Sequence, residues 1–173
     1  MLLKISSKAL VKFILLLVLL SPSTFQTEAK HETNLIIAIC KKTPNYALCL
    51  STLKSNPNSS RADVAGLGYI VVETVKAKST AGLQTIVKLS RSSPVLKRKL
   101  SECWQKYDAI LNDFVPEAEQ GPPKFAVDGM KGVAEVTTDC IKDFQGLEAP
   151  LPTINQLVHD LSLVAASIIS NLL

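Results

Sequence analysis

Apolar residues recur at helical spacing along most of this 173-residue chain. No other feature of the sequence restricts the fold as strongly. The period is clearest in segment 94–118, where successive apolar positions alternate between intervals of four and three. These positions are Leu96, Leu100, Cys103, Tyr107, Ile110 and Phe114. Spacing of this kind places one apolar stripe along one face of a helix.

Three other segments, 61–90, 124–145 and 153–172, carry comparable stripes. At 1.5 Å per residue, the four segments would form helices about 30–45 Å long. Because short connections join them, the pattern predicts an all-α protein whose residues 58–173 form an up-down-up-down four-helix bundle. Residues 30–57 contain a shorter helical segment that ends before Asn56-Pro57-Asn58, and we expect a separate amino-terminal helical hairpin there. The stripes are expected to form a filled core, although a cavity for a lipid or another small ligand is an alternative.

Four local signals predict where helices begin. Two of them, Thr43-Pro44 and Ser93-Pro94, combine a capping side chain with a proline suited to the first helical position. The other two resemble capping boxes. They are Ser60 to Asp63 and Thr153 to Gln156.

The first 29 residues have the pattern of a secretory signal peptide. Three lysines precede a short apolar run, 13–20, which Ser21-Pro22 ends before a stretch of small residues. A membrane anchor is the alternative, but the run is much shorter than the roughly 20 residues that a span requires. We therefore expect the mature chain to leave the cell and meet an oxidising compartment, with no membrane association after removal of the signal.

The four cysteines, Cys40, Cys49, Cys103 and Cys140, allow three pairings as two disulfides. The midpoint of the first two falls next to Pro44, and the midpoint of the last two falls between Gly121 and Pro122. Residues equidistant from the turn of an antiparallel helical hairpin lie opposite one another. The spacing therefore favours disulfides 40–49 and 103–140. A metal site is the alternative, but the chain has no CxxC motif and only two histidines.

The sequence contains none of the common catalytic or nucleotide-binding motifs, so we expect no enzyme activity, no cofactor and no metal. His159 stands beside Asp160 and is expected to be a partly exposed surface residue. Residues 1–29 carry Lys4, Lys8, Lys12 and Glu28. Their removal reduces the net charge from +4 to +2, which argues against a nucleic-acid partner.

Two further surface features are candidates for an interaction or a modification. The run Lys97-Arg98-Lys99 is expected to be a solvated face, and a contact with an anionic cell-wall polymer is the alternative. Asn58 begins an Asn-Ser-Ser sequon and is a candidate site of N-glycosylation.

The segment between the second and third predicted helices has the strongest signs of function. Two prolines, Pro122 and Pro123, stiffen the chain immediately before Lys124 and Phe125. A rigid cation beside an aromatic ring suits a concave acidic pocket on a partner. The alternative is that Phe125 packs into the end of the core. Gly129 and Gly132 are expected to let a neighbouring helix approach closely.

Three motifs resemble the plant invertase and pectin methylesterase inhibitor family. They are CKKTPNYALC at 40–49, PKFAVDGM at 123–130 and the ending SNLL at 170–173. The second motif is similar to that of the branch that inhibits invertase. The resemblance implies a secreted inhibitor of plant acid invertase (β-fructofuranosidase), located in the cell wall or the vacuole. Inhibition of pectin methylesterase on the same scaffold is the alternative.

The resemblance also implies the contact residues. Pro123, Lys124 and Phe125 would enter the active-site cleft of the invertase and block sucrose. Asp128 would help to hold the turn, since a carboxylate in the first turn of a helix suits the helix dipole.

Overall fold

The structure, a computed structural model, describes residues 34–142 and 152–173. The predicted signal peptide and Phe144, near the end of the third predicted helix, lie outside these ranges. The chain divides after Leu35 into two units, and the second unit, Ile36–Leu173, contains the helical bundle. Within the described ranges, no helix combines the length and the apolar character needed to cross a membrane.

Helices account for nearly all of the regular structure. Among the described residues, short 3₁₀ helices occur at Pro57–Arg61, Pro94–Leu96 and Ser170–Leu172, and a π-helical turn, Ile110–Phe114, joins two α-helices. No strand occurs in the described residues. The α-helices are α1 (34–40), α2 (Tyr46–Ser55), α3 (Val64–Ser92), α4 (Lys97–Ala109), α5 (Val115–Gln120), α6 (Pro123–Lys142) and α7 (Pro152–Ile169).

Four long rods make up the bundle, with α4, the π-turn and α5 acting together as its second rod. Helix α3 packs against α4 and α7, and α6 packs against α4, α5 and α7. Each rod therefore has two main neighbours, which is the arrangement of an up-down-up-down bundle. The predicted fold class is confirmed.

The predicted apolar stripes form the core of the bundle. Their central residues are buried, whereas residues at the rod ends, such as Val64, Leu89 and Phe114, are half-buried and Leu172 is exposed. The fully buried side chains at the centre favour a filled core over the alternative of a ligand cavity. They include Leu67, Val71, Val75, Ile86, Leu100, Tyr107, Ile110, Met130, Val133, Leu161, Val164 and Ile168.

Both predicted disulfides are present. Cys40 pairs with Cys49 at a Cα–Cα distance of 5.5 Å, and Cys103 pairs with Cys140 at 5.1 Å. All four cysteines are buried. The first disulfide closes the amino-terminal hairpin and the second joins α4 to α6.

The amino-terminal hairpin is tied to the carboxyl-terminal end of α7. The Lys42 ammonium donates a hydrogen bond to Asn171 Oδ1 at 2.8 Å, and the Ser167 hydroxyl donates to the Lys42 carbonyl at 2.9 Å. Helix α2 also packs against α3 and α7. The hairpin thus rests against the bundle.

Two helices begin later than predicted, because an Asn or Asp nearer the helix provides the cap. Asn45, not Thr43, caps α2 by accepting a hydrogen bond from the Leu48 amide at 3.1 Å. Asp63 caps α3 itself by accepting from the Gly66 amide at 2.8 Å. These side chains are among the strongest N-caps. Thr43 and Ser60 instead donate to backbone carbonyls within the preceding turns.

The other two predicted starts are also incorrect in detail. Ser93 makes no side-chain capping bond, and Pro94 opens a 3₁₀ turn, so α4 begins at Lys97. Helix α7 begins at Pro152, which places Thr153 inside the helix rather than at its cap. Asn155, from the same predicted capping box, is buried.

Candidate functional site

The connection between α5 and α6 consists of only Gly121 and Pro122. Gly121 is extended, with φ −82° and ψ 163°, and its amide donates to the Glu117 carbonyl at 2.9 Å. The Pro122 carbonyl accepts a hydrogen bond from the Ala126 amide at 3.1 Å, which ties the turn to the start of α6. Pro123 occupies the first helical position. The turn is therefore stiff, as the prolines predicted.

Gly121 fits this turn because it lacks a Cβ. A Cβ built at this position would lie 2.5 Å from the Glu117 carbonyl oxygen. A backbone carbonyl cannot move away as a flexible side chain can. A side chain at position 121 would therefore displace the turn and the residues that follow it.

Pro123, Lys124 and Phe125 form one continuous exposed edge at the start of α6. The Phe125 side chain retains 51% exposure. It therefore does not pack into the end of the core, which was the alternative expected from the sequence. The next two residues, Ala126 and Val127, are buried and hold this edge against the bundle.

The charges on this edge are open to solvent. Within 34–142 and 152–173, neither Lys124 nor Asp128 takes part in a hydrogen bond or an ion pair of its side chain. Asp128 is the sixth residue of α6, so the expectation that it sits in the first helical turn is wrong, and the helix dipole does not hold it there. It lies four residues after Lys124 and therefore on the same side of the helix.

A cluster of charged side chains anchors the turn to α3. The Lys76 ammonium donates to Glu119 Oε1 at 2.7 Å and lies 3.8 Å from Glu73 Oε1. Glu119 is two residues before Gly121, so the cluster joins the end of α5 to the side of α3. Two carboxylates thus share one ammonium beside the exposed edge.

The pKa values of the two carboxyl groups in this cluster are shifted in opposite directions. A hydrogen bond with Glu119, followed by burial, raises the pKa of Glu73 above its ordinary value. Burial pushes the pKa of Glu119 upward, but its bonds to Lys76 and Glu73 outweigh this, and the net pKa is lowered. The geometry therefore favours a proton on Glu73 and a charge on Glu119.

A shallow groove of about 380 Å³ runs beside the exposed edge. It lies between the amino-terminal end of α3, the turn at Gly121 and the carboxyl terminus. Sequence reasoning missed this groove. The signal that could have indicated it is Tyr69, an aromatic residue that lies off the α3 stripe and is 50% exposed. The apolar lining includes Tyr69, Val72, Pro123, Ala126, Ile169 and Leu172.

Gly129 and Gly132 allow α6 to approach the π-turn closely, as predicted. A Cβ at Gly129 would lie 2.9 Å from the Phe114 carbonyl oxygen, and one at Gly132 would lie 2.6 Å from the Phe114 ring. This contact sets the position of the first turns of α6. The glycines thus help to place the exposed edge.

The remaining residues singled out from the sequence lie elsewhere. Asn58 is exposed on the 3₁₀ turn Pro57–Arg61 and lines a second groove with Tyr69 and Glu73. The His159 and Asp160 side chains are partly exposed, and His159 Nδ1 lies 3.0 Å from Asp160 Oδ1. Of the disulfide cysteines, Cys103 and Cys140 cross-link the rods on either side of the turn.

Sequence comparison relates the chain to known inhibitors. Residues 34–173 match the family described as plant invertase/pectin methylesterase inhibitor. The cell wall/vacuolar inhibitor of fructosidase 1 of Arabidopsis thaliana is 37% identical over 141 residues, or 79% of this chain. The pectinesterase inhibitor of Actinidia deliciosa is 34% identical over 66% of the chain. The cell wall/vacuolar inhibitor of fructosidase 2 of Arabidopsis thaliana is 32% identical over 58%.

These alignments span 68%, 63% and 58% of the relatives' own lengths. Two crystal structures of pectin methylesterase inhibitors from Arabidopsis share the fold. The first, a mutant form, has a TM-score of 0.66 at 18% identity and covers 76% of this chain and 93% of its own. The second has a TM-score of 0.58 at 17% identity and covers 78% and 93%.

Proposed function

We propose, from the premise that the chain belongs to the plant invertase/pectin methylesterase inhibitor family, that it is a secreted, non-catalytic inhibitor of a plant acid invertase. In this proposal, Pro123, Lys124 and Phe125 enter the active-site cleft of the invertase and exclude sucrose. Relatives named as cell wall/vacuolar inhibitors of fructosidase support this target. Their names also support a location in the cell wall or the vacuole.

The observation that carries the proposal is the half-exposed Phe125 ring on a stiff helix start, beside a Lys124 ammonium that has no ion-pair partner among the described residues. Burial of the ring in a cleft would remove apolar surface from water. The ammonium would meet the paired carboxylates on which glycosidases depend. Because Pro122, Pro123 and the Glu117–Gly121 hydrogen bond already hold the turn, little conformational entropy would be lost on binding.

Asp128 would lie at the edge of the same contact. Its carboxylate is exposed and is on the same side of α6 as Lys124. We propose that it faces a donor at the rim of the cleft, where an exposed charge contributes less than the buried anchors.

The direct test is a titration of the purified mature protein against wall-type and vacuolar acid invertases at mildly acidic pH. We expect inhibition that competes with sucrose. Lys124→Ala and Phe125→Ala should each raise the inhibition constant about 30-fold or more, because loss of such an anchor costs about 2 kcal/mol.

The chain offers matched controls for both substitutions. Lys88 is an exposed lysine near the far end of α3, and Val95 is an apolar residue with 91% exposure. Lys88→Ala and Val95→Ala should leave inhibition unchanged. Full inhibition by a folded Lys124→Ala/Phe125→Ala double variant would show that the contact lies elsewhere.

Inhibition of pectin methylesterase is the second candidate. A pectinesterase inhibitor is 34% identical to this chain, and the fold is shared with pectin methylesterase inhibitors of known structure. The same titration therefore includes a plant pectin methylesterase. If the esterase were inhibited while every acid invertase remained active, this second function would replace the first.

A further inference from the structure

A groove of about 610 Å³ lies at the end of the bundle where α3 gives way to α4. Its lining comprises Val87, Ser90 and Arg91 from α3, Pro94 from the connection, and Lys97, Ser101 and Trp104 from α4. The α4 residues are spaced by four and three, so they share one face of that helix. The groove lies within the size range of sites for small ligands.

The groove is basic. From Thr74 to Ser101 the chain has seven lysines and arginines and no aspartate or glutamate. Of these basic residues, Arg91 and Lys97 line the groove, and Lys88, Arg98 and Lys99 lie within two residues of a lining residue in the sequence. In the part of the chain that the structure describes, none of the five forms an ion pair.

Lys97 is also in an unfavourable position for a lysine. It is the first residue of α4, where the positive end of the helix dipole opposes a cation. The charge is therefore not explained by the stability of the helix. An anionic ligand would offset this repulsion.

Trp104 adds a flat aromatic surface to the same groove. The side chain is 40% exposed. The negative face of an indole ring attracts the weakly positive C–H groups on one face of a sugar ring. Arg91 and Lys97 beside it can bind carboxylates, with arginine able to make two parallel hydrogen bonds. An aromatic platform flanked by cations matches a sugar that carries a carboxylate at each repeat.

We infer that the groove lined by Arg91, Lys97 and Trp104 binds a polyuronate, a carboxylated polysaccharide. Such a contact would retain the protein in a wall matrix. The ligand class rests on the proposed export of the chain, but not on the proposed inhibition of invertase. The groove and the exposed edge lie at opposite ends of α3. Tyr69 and Ser90 are 21 residues apart, or about 30 Å along the helix.

Trp104 is the only tryptophan in the chain, so intrinsic fluorescence reports directly on the groove. The full mature protein is titrated with oligogalacturonate, and the change in fluorescence gives the dissociation constant. Arg91→Gln/Lys97→Gln should weaken binding about tenfold or more, since each substitution removes a charge-assisted hydrogen bond. Trp104→Ala should lower retention on immobilised polygalacturonate to a similar degree.

Lys41→Gln/Lys54→Gln, which removes two exposed charges from the amino-terminal hairpin, is the matched control and should bind like the wild type. Fully methyl-esterified polygalacturonate should not bind, because it lacks the charge. If Arg91→Gln/Lys97→Gln and Lys41→Gln/Lys54→Gln weakened binding of the oligogalacturonate equally, the groove would not be the binding site. Equally tight binding of single-stranded DNA, or an unchanged Trp104 emission, would overturn the ligand class.

The two proposals are distinguished by testing each double variant in the assay designed for the other proposal. Lys124→Ala/Phe125→Ala should bind oligogalacturonate like the wild type, and Arg91→Gln/Lys97→Gln should inhibit invertase like the wild type. Loss of polymer binding in the first variant would place the polymer site at the α5–α6 turn instead and would overturn the inference.

Discussion

Gly82 is the residue on which the contact between α3 and α4 depends most directly. A Cβ at this position would lie 2.3 Å from the Tyr107 ring. The ring is fully buried, and its hydroxyl donates a hydrogen bond to Asn155 Oδ1 on α7. The Asn155 amide in turn lies 3.4 Å from Cys140 Sγ on α6. Gly82 thus makes room on α3 for a polar link that joins the other three rods.

Burial also keeps the Tyr107 hydroxyl in this link in its neutral form. It raises the pKa of Tyr107 well above its usual range. The phenol therefore stays neutral at physiological pH and keeps donating to Asn155. Burial of a polar side chain costs little folding free energy when its hydrogen-bond partner is in place. Without that partner, the cost is roughly 1–3 kcal/mol.

Gly82→Ala should lower the free energy of unfolding by about 1–3 kcal/mol, because the new methyl group overpacks the site against Tyr107. Helix propensity alone predicts the opposite sign, a gain of about 1 kcal/mol. Urea denaturation measures the difference.

Ala81→Gly, at the exposed neighbouring position, is the matched control and should lose about 1 kcal/mol through propensity alone. If Gly82→Ala were more stable than the wild type, the close contact with Tyr107 would not limit the packing of α3 and α4.

Among the structural elements, the amino-terminal hairpin and the bundle depend on different disulfides. Cys40–Cys49 closes a loop of 9 residues and Cys103–Cys140 one of 37. Restriction of the unfolded chain contributes about 2.6 kcal/mol for the short loop and about 3.8 kcal/mol for the long one. The first acts on the hairpin and the second on two rods of the bundle.

Cys40→Ser/Cys49→Ser should therefore loosen residues 34–55 while the bundle keeps a cooperative unfolding transition. Limited proteolysis, read by mass spectrometry, should find the first cleavages in that hairpin. Cys103→Ser/Cys140→Ser serves as the comparison and should lower the stability of the bundle itself. First cleavages within α3 or α6 of the Cys40→Ser/Cys49→Ser variant would contradict this division.

For the whole molecule, the cluster of Glu73, Lys76 and Glu119 links stability to pH. The pKa of Glu73 is raised above its ordinary value near 4.5. Its contribution is therefore present below that value and is lost as the pH rises through the raised folded-state value. Glu119 has a lowered pKa, so its contribution is present above 4.5 and is lost as the pH falls through the folded-state value.

Glu73→Gln mimics the protonated form and removes the Glu73 contribution. The melting temperature of this variant relative to the wild type should rise between pH 4 and pH 7. The change should be about 3 °C or less, because these side chains are partly exposed to solvent. Calorimetry at several pH values measures it, with the exposed Glu102→Gln as control. A difference that stayed constant or fell with pH would contradict the sharing of a proton between Glu73 and Glu119.

The two proposed sites lie near opposite ends of α3. Both lie beside α3, which contributes Tyr69 to the groove next to the exposed edge and Arg91 to the basic groove. A rod of 29 residues spans about 43 Å. It can therefore hold the protein to a polymer at one end while presenting Lys124 and Phe125 to an enzyme at the other.

The sequence alone determined several features that depend on short stretches of chain, although it misplaced the four predicted helix starts by a few residues. The helical period predicted the four rods, and the equal distance of paired cysteines from each turn predicted both disulfides. Pro122 and Pro123 identified the stiff connection before Lys124. These predictions succeeded because periodicity, chain reversal and proline geometry act locally.

Only the tertiary structure decided the contacts between rods. A stripe identifies the buried face of a helix, but it does not specify how far neighbouring helices slide or rotate against each other. That offset brings Gly82 to the Tyr107 ring, Lys76 to Glu119 and Arg91 to Trp104. It also leaves Phe125 half-exposed rather than in the core. Each outcome depends on side chains that are distant in sequence and compete for the same space. The spacing of residues within one segment therefore cannot predict these contacts.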